Sequence, residues 1–483
     1  MAENRVAVTL SPLVAKRIAP ARDVVERAVE SGEIVYGVTT GFGALATTPI
    51  GRDQMRQLQH NLLRSHAAGV GEPLPPEMVR AMLLLRARTL AQGHSGVRAL
   101  IVERLIDLIQ RDILPVVPSQ GSVGASGDLA PFAHLALPLI GEGMVLLDGE
   151  TKSPENAGLE PIQLQAKEGL SLLNGTEGMT AMGVLGLHHA RRLAAAADTA
   201  VALTVEALLG SARPFRADIH ALRPHPGQAA SAERIVRLLE GSEIVASHSH
   251  DFEHAVQDAY SLRCAPQVHG AVSDTLDHVE AVLIREMGSV VDNPIVFPES
   301  GEVISAGNFH GQPLAFVLDF ATIAVTELGS ISERRTDRML DPTRSAGLSP
   351  FLASEPGLNS GYMVAQYVQA ALVAESRVLS HPASVESIPT SGSQEDHVSM
   401  GWGAGRKLFP VLDNTRRILA IEILCAVQGM EQRRPLAPAP RTGAVADLIR
   451  SHVPPLTGDR MLAEEIETVA MLIADGSIDN AIS

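Results

Sequence analysis

Apolar side chains recur every three to four positions over most of this chain, which is the period of an α-helix. Strand-like segments are few and short, such as 144–147. At 1.5 Å per residue the longest predicted helix would extend roughly 45 Å. The pattern therefore predicts a mainly α-helical protein. The longest helical segments are 76–92, 97–113, 178–209, 312–340, 362–380 and 403–433.

Alanine-rich faces on helices of this length are typical of helices that pack side by side in a bundle. We expect an N-terminal lobe over residues 1–178 and an elongated bundle of nearly parallel helices over 179–483, forming one continuous unit. Loops held by rigid helices are where chemistry is usually found. The segments rich in Gly, Ser, Thr and Asn are 36–48, 120–128, 172–176, 288–308 and 389–403.

The composition restricts the partners of the protein. A formal net charge of −16 over 483 residues, with no block of Lys or Arg, argues against a nucleic-acid or anionic membrane surface. Charged and polar residues also interrupt the longest apolar stretches, which argues against membrane spans. Cys264 and Cys425 are too few for a disulfide framework and fit a reducing compartment. Because the N-terminal segment lacks the pattern of a secretory signal, we expect a cytoplasmic protein that acts on a small molecule.

The segment GSVGASGDLAPFAHLALPLIGEG begins at Gly121 and leads into a helix near Pro131. A plain loop with a helix cap is one interpretation. A phosphate-binding loop would end in Gly-Lys-Ser/Thr, and a nucleophilic Ser126 would need glycines at other positions. From the residues alone these interpretations stay open.

The string GASGDLAP is very similar to the motif of the aromatic amino acid ammonia-lyases, whose Ala-Ser-Gly tripeptide becomes a methylidene-imidazolone group. The resemblance implies that Ala125, Ser126 and Gly127 form this electrophile autocatalytically, without a metal or nucleotide. The Gly127 nitrogen would attack the Ala125 carbonyl in a turn that larger side chains would crowd. Loss of water from Ser126 would leave an exposed methylene. Covalent capture by such a group divides one difficult elimination into easier steps.

The resemblance continues in the family's order from about residue 35 to 431. VYGVTTGFGALAT resembles the inner loop of the family and implies that Tyr36 is the base that removes the β-proton. A phenol with a pKa of about 10 needs nearby positive character for that role. LLNGTEGMT implies that Asn174 contacts the oxygen of the electrophile. Without the resemblance, Tyr36 would be a packing residue and Asn174 part of a turn.

Two further motifs add residues to the implied site. VQDAYSLRCAPQVHGA provides Gln257, Tyr260 and Arg263, and Arg263 would hold the substrate carboxylate in a bidentate fork. GNFHGQP provides Phe309, which would flank the electrophile, and Asn308, which would face the substrate. The family also implies a homotetramer whose sites combine loops from several subunits.

The substrate ring would be recognised by Ser65, His66 and Glu395. The pair in RSHAAGVGEPL resembles the histidine-specific members, and the glutamate of SGSQEDHVSMG supplies a carboxylate that pairs with imidazole. A buried polar pair would penalise phenylalanine by leaving groups without partners. These residues favour elimination of ammonia from L-histidine to give trans-urocanate.

Some positions depart from the commonest wording of the histidine-specific members. Thr39-Thr40 stands where many have Asn-Thr, Glu177-Gly178 where many have Gln-Ala, and Ser393 where many have Asn. A tyrosine or phenylalanine ammonia-lyase, or an aminomutase that returns ammonia to the β-carbon, therefore remains the alternative. A catalytically silent helical scaffold is a remote one. HSHDFEH, residues 248–254, could ligate a metal, but we expect a solvated connector and no metal requirement.

Overall fold

A computed structural model describes residues 6–41, 50–51, 54–124, 128–248 and 257–482. Over this part of the chain the structure is mainly helical, which confirms the predicted fold class. The helices are α1 (Leu13–Ser31), α2 (Met55–His66), α3 (Pro76–Leu90), α4 (Ala99–Gln110), α5 (Leu129–Ala136), α6 (Glu168–Leu173), α7 (Glu177–Ala207), α8 (Ala217–Ala221), α9 (Pro226–Leu239), α10 (Glu243–Ala246), α11 (Tyr260–Arg263), α12 (Ala265–Gly288), α13 (Gln312–Leu340), α14 (Met363–Leu379), α15 (Gly401–Glu431), α16 (Pro440–His452), α17 (Ala463–Ala474) and α18 (Ser477–Ala481).

The chain folds into two compact units. The helices α1 to α6 belong to the first unit, and α7, α12, α13 and α15 contribute residues to both. The predicted division at residue 178 stays a prediction. The first unit consists of Met1–Leu185, Ala281–Leu318 and Pro382–Arg406, and the second of Gly186–Glu280, Asp319–His381 and Lys407–Ser483.

Short antiparallel strands complete the first unit. The strands β1 and β3 pair, β2, β4 and β5 form a second sheet in that order with β4 in the middle, and β6 pairs with β7. Val145 in the middle strand is fully buried, whereas the residues of β1 are exposed. The strands are β1 (Val70–Pro73), β2 (Leu114–Pro115), β3 (Pro118–Gln120), β4 (Val145–Leu147), β5 (Glu150–Lys152), β6 (Ile295–Phe297) and β7 (Glu302–Ile304).

A buried cluster joins α1 to the segment that follows it. Val24 and Val25 of α1 pack with Val35 and Val38 and with Val296 of β6. Apolar burial of this kind contributes roughly 1.5–3 kcal/mol per fully buried side chain. The cluster therefore fixes the turn around residue 36 against a long helix.

The helical pattern predicted most long helices to within two residues, and α13 matches it at both ends. The most apolar 18-residue window of α13 is long and apolar enough to cross a membrane, but 67% of it is buried within the protein. The pattern did not single out α1, which contains Pro20, a residue that normally interrupts a helix. The pattern also did not predict α12, whose first residues were interpreted only as part of a sequence motif.

Candidate active site

Tyr36 lies in a tight turn that is held from both sides. The Thr39 hydroxyl accepts a hydrogen bond from the Val35 backbone N–H at 2.8 Å and donates one to the Glu33 carbonyl at 2.6 Å. The Thr39 backbone N–H donates to the Val35 carbonyl at 3.0 Å. These bonds hold the turn while the Tyr36 side chain stays half-buried. The following part of the glycine-rich segment, 42–49, lies outside the described residues.

His66 is the last residue of α2, and its hydrogen bonds define a tautomer. Its Nδ1 lies 2.9 Å from the Leu62 carbonyl oxygen and 3.1 Å from the Ser65 hydroxyl. Because a carbonyl only accepts, we assign the ring proton to Nδ1, which leaves Nε2 as an acceptor. Burial lowers the pKa of His66, so the ring is neutral at pH 7. His66 can therefore accept a hydrogen bond from the ring N–H of a ligand.

The Glu395 carboxylate lies close enough to His66 to raise the pKa of the imidazole, against the larger effect of burial. Thr390 positions this carboxylate, since its hydroxyl donates to Glu395 Oε2 at 2.8 Å and its N–H donates to the Glu395 carbonyl at 2.9 Å. Three of the four intervening residues, 391–393, are left-handed, with φ of 53°, 61° and 66°. The structure thus brings together two residues that separate motifs predicted to bind the substrate ring.

The predicted tripeptide, residues 125–127, lies outside the described residues, but both of its flanks are defined. Before it, the Gly124 carbonyl accepts a hydrogen bond from the Ser399 hydroxyl at 3.4 Å. After it, the Asp128 backbone N–H donates to the Gly175 carbonyl at 2.8 Å. The second bond anchors the tripeptide's C-terminal flank to the residue that follows Asn174.

Asn174 directly follows α6 and is only 2% exposed. Its side-chain nitrogen donates to the Asn293 carbonyl at 2.9 Å, and its side-chain oxygen has no partner among the described residues. A buried polar atom without a partner indicates a group that completes the site. The amide nitrogen carries a second N–H, which can be donated to a polar group formed from the tripeptide beside the Asp128 anchor.

Asp128 is a buried carboxyl that the sequence analysis missed. It is 0% exposed, and it accepts hydrogen bonds from the backbone N–H groups of Gly178 and Met179, the latter at 2.9 Å. Burial raises the pKa of Asp128 to about 7, although these two N–H groups oppose the shift. The carboxyl satisfies amides that the first turn of α7 leaves without helical partners. An acidic residue directly before a predicted helix was the signal that could have identified it.

Asn308 and Phe309 form a turn just before α13. The Asn308 side chain is exposed and donates to the Val290 carbonyl at 3.3 Å, whereas Phe309 is half-buried. The adjacent His310 ring stacks on His397, with centroids 5.9 Å apart and an interplanar angle of 3°. This turn therefore lies against the segment that carries Glu395.

Gln257, Tyr260 and Arg263 belong to the second unit, and their proximity to the first-unit residues stays a prediction. Arg263 is held locally, because its Nε donates to the Asp258 carbonyl at 3.0 Å and its guanidinium lies 4.6 Å from the Tyr260 ring centroid. The Tyr260 side chain is 72% exposed. The segment thus presents an aromatic ring and a cation together at the surface of its unit.

Within the described residues, no group of three or more His, Cys, Asp or Glu side chains is arranged to hold a metal ion. Residues 249–254 of the histidine-rich segment lie outside them. His248 is described, and its Nε2 lies 3.1 Å from the Gly210 carbonyl oxygen. The metal alternative therefore stays untested.

A model of the family described as aromatic amino acid lyase matches residues 1–451, and the chain belongs to this family. Members of the family in general carry the methylidene-imidazolone group. A histidine ammonia-lyase of Deinococcus radiodurans is 54% identical over 463 residues, which cover 95% of this chain and 88% of that protein.

Two solved structures extend the likeness. The histidine ammonia-lyase of Trypanosoma cruzi superposes with a TM-score of 0.91 at 42% identity, covering 99% of this chain and 91% of that one. The tyrosine aminomutase of Streptomyces globisporus has a TM-score of 0.95 at 40% identity, with 100% and 95% covered. The fold alone therefore does not distinguish a lyase from an aminomutase.

Proposed function

We propose that this protein is a carbon–nitrogen lyase that eliminates ammonia from L-histidine to give trans-urocanate. The observation that carries the proposal is the neutral, half-buried His66 beside the Glu395 carboxylate. Each of these two residues offers an acceptor to a ring N–H of the substrate, of which a neutral imidazole has one and a protonated imidazole two. The high identity to a histidine ammonia-lyase over almost the whole chain supports the same substrate.

The prosthetic group would form from residues 125–127. The Gly127 nitrogen adds to the Ala125 carbonyl with loss of one water, and Ser126 loses a second water to leave a methylene. This group supplies the electrophile that makes the amino group a leaving group. Asn174 would donate to its oxygen through the second N–H of the side-chain amide, whose nitrogen also donates to the Asn293 carbonyl.

The remaining residues bind and orient the substrate. Arg263 would hold the carboxylate, with Gln257 and Tyr260 beside it, so that the amino acid has one orientation. Tyr36 would then remove the β-proton. Phe309 and Asn308 would close the site beside the electrophile and the substrate, and Ser65 would support His66 at the ring end.

The substrate is tested by ultraviolet product formation with L-histidine, L-tyrosine and L-phenylalanine assayed separately, without added cofactor. We expect urocanate as the main product. Coumarate or cinnamate as the main product would overturn the ring-binding role of His66 and Glu395. A β-amino acid as the main product would favour the aminomutase, and no product from any substrate would favour the silent scaffold.

We further propose a homotetramer, in which loops of neighbouring subunits complete each site. One face of α14 supports association, because Val364, Tyr367 and Val368 are 58%, 61% and 42% exposed at helical spacing. The test is light scattering of the wild-type chain and of V364E/Y367E. We expect a tetramer that the substitution weakens together with activity, and an active wild-type monomer would refute the proposal.

A further inference from the structure

Arg86 is a fully buried arginine on α3 that contacts several segments of the candidate site. Its Nη1 donates to the carbonyls of Asn174 at 2.9 Å and Ser171 at 3.3 Å, and its Nη2 donates to Glu177 Oε2 at 2.7 Å. Its guanidinium carbon lies 4.6 Å from the ring centroid of Phe132 on α5. A single side chain therefore joins α3 to α5, α6 and the start of α7.

These contacts satisfy backbone carbonyls that have no partner within the helix. The last carbonyls of a helix have no helical partners, and Arg86 provides donors for two of them at the end of α6. Immediately afterwards the Gly175 carbonyl receives the Asp128 N–H. A Cβ atom at residue 175 would collide with the side chains of Arg86 and Glu177. The peptide that follows Asn174 is thus enclosed between the guanidinium and the anchor of the tripeptide.

We propose that Arg86 is a positioning residue for catalysis, which holds the Asn174 backbone so that the side-chain amide meets the group formed from residues 125–127. The inference rests on the proposed function, which gives Asn174 its role. Arg86 acts through Asn174, because its contacts to that residue go to the backbone carbonyl and leave the side chain available.

Glu177 has a supporting part in this arrangement. Its Oε2 orients the guanidinium, whereas its Oε1 and the Arg86 Nε have no partner among the described residues. A glutamine at this position would keep an oxygen that accepts from Arg86. E177Q alone would nevertheless leave the buried Arg86 guanidinium without its counter-charge, so the test replaces both members of the pair.

The second unit offers a matched control. Arg335 and Glu422 are also fully buried and paired, and the contacts of Arg335 reach the Ser261 carbonyl and not Asn174. The variants R86M/E177Q and R335M/E422Q each remove both members of a buried pair, so neither leaves an isolated charge. Both are compared with wild type and with N174A.

The decisive experiment is a double-mutant cycle on kcat, measured with the amino acid that the wild-type chain deaminates. We expect R86M/E177Q to lower kcat by roughly 10- to 100-fold, the size of effect that small misplacements produce, with KM changed by less than about threefold. In the N174A background the same change should lower kcat by less than about threefold. R335M/E422Q should have the same effect in both backgrounds. An equal loss for R86M/E177Q in both backgrounds would overturn the proposal.

Intact mass and hydrogen exchange provide readouts besides turnover. R86M/E177Q should still lose two waters from residues 125–127. A variant that keeps these waters would show that the pair acts on formation of the group, which would contradict our proposal. In R86M/E177Q, amide exchange of residues 168–180 should be about tenfold or more faster than exchange of the same residues in R335M/E422Q. Unchanged exchange would refute the positioning role of Arg86. An inactive wild-type chain would by itself refute only the proposed function, because amide exchange can be measured without turnover. If R86M/E177Q does not fold, R86K enters the same cycle, because one ammonium cannot reproduce the guanidinium fork.

Discussion

Each unit of the protein buries an arginine–glutamate pair, but the pairs differ in how completely they are hydrogen-bonded. In the second unit, Glu422 accepts from Arg335 Nε and Nη2 and from the hydroxyls of Thr204 and Ser332 at 2.8 and 2.6 Å. The Arg335 Nη1 lies 3.4 Å from both the Ser261 carbonyl and His269 Nε2. Every side-chain nitrogen and oxygen of this pair therefore has at least one hydrogen-bond partner.

The pair in the first unit is different, because Arg86 Nε and Glu177 Oε1 have no partners among the described residues. Asn174, next to this pair, also keeps an unused oxygen. Incompletely satisfied polar groups lower stability and are usually retained where function requires them. We infer from this comparison that the second-unit pair serves folding, whereas the first-unit pair serves the proposed site.

The largest predicted effect separates chemistry from folding. Ser126→Ala cannot lose the second water, so turnover should fall by about 10³-fold or more while the thermal midpoint stays near that of wild type. The rate of product formation measures turnover, thermal unfolding measures the midpoint, and intact mass shows how many waters are lost. Retention of activity, or loss of two waters in the variant, would contradict the proposed prosthetic group.

Breaking the Arg335–Glu422 pair should have a large effect on stability. Arg335→Leu leaves the fully buried Glu422 without its cation, and the expected loss is about 3–5 kcal/mol of folding free energy. The double variant R335M/E422L should lose less, because no isolated charge remains. Denaturant midpoints compare them, and equal midpoints for both variants would show that the pair is not what stabilises this unit.

The substrate ring gives the third effect. Glu395→Gln keeps the shape but not the charge, and kcat/KM for L-histidine should fall by roughly 10- to 100-fold while that for L-phenylalanine does not fall. Thr390→Val removes only the hydroxyl that orients the carboxylate and should cost less. Equal losses for both amino acids would show that Glu395 does not select the ring.

The smallest expected effect concerns pH. Burial raises the pKa of Asp128 to about 7, so the native state holds a proton there that the unfolded state releases near its ordinary pKa. Its contribution to stability is present at low pH and is lost as pH rises through about 7. Relative to D128N, wild type should lose about 1–2 kcal/mol between pH 6 and pH 8. Parallel stability profiles for the two proteins would contradict the buried, protonated carboxyl.

The sequence predicted the long helices and several site residues because each rests on a local signal. Apolar periodicity identified α7, α13 and α15, and motifs identified His66 and Glu395, which the structure brings together. Arg86 was missed because its partners lie about ninety residues away, and only an arginine among apolar residues of α3 hinted at it. Asp128 carried a local signal, an acidic residue directly before a predicted helix, but its burial against α7 could not be predicted from that signal.

The structure also explains most of the positions at which the sequence departs from the common family motifs. Glu177 pairs with Arg86, and a Cβ at residue 178 would lie 2.5 Å from Trp402 and 2.6 Å from the Asp128 carboxyl, so glycine is required there. Thr39 holds the Tyr36 turn through its hydroxyl. Nothing in the structure explains why serine occupies residue 393, whose φ is 66°.

The most direct test of the central claim is a competition experiment. The purified chain receives equal concentrations of L-histidine, L-tyrosine and L-phenylalanine, and the initial rates of all products are measured by chromatography. The ratio of these rates equals the ratio of kcat/KM values. We predict urocanate in excess by about 100-fold or more, as expected when buried polar groups select the imidazole ring. Predominance of coumarate, cinnamate or a β-amino acid would contradict the account.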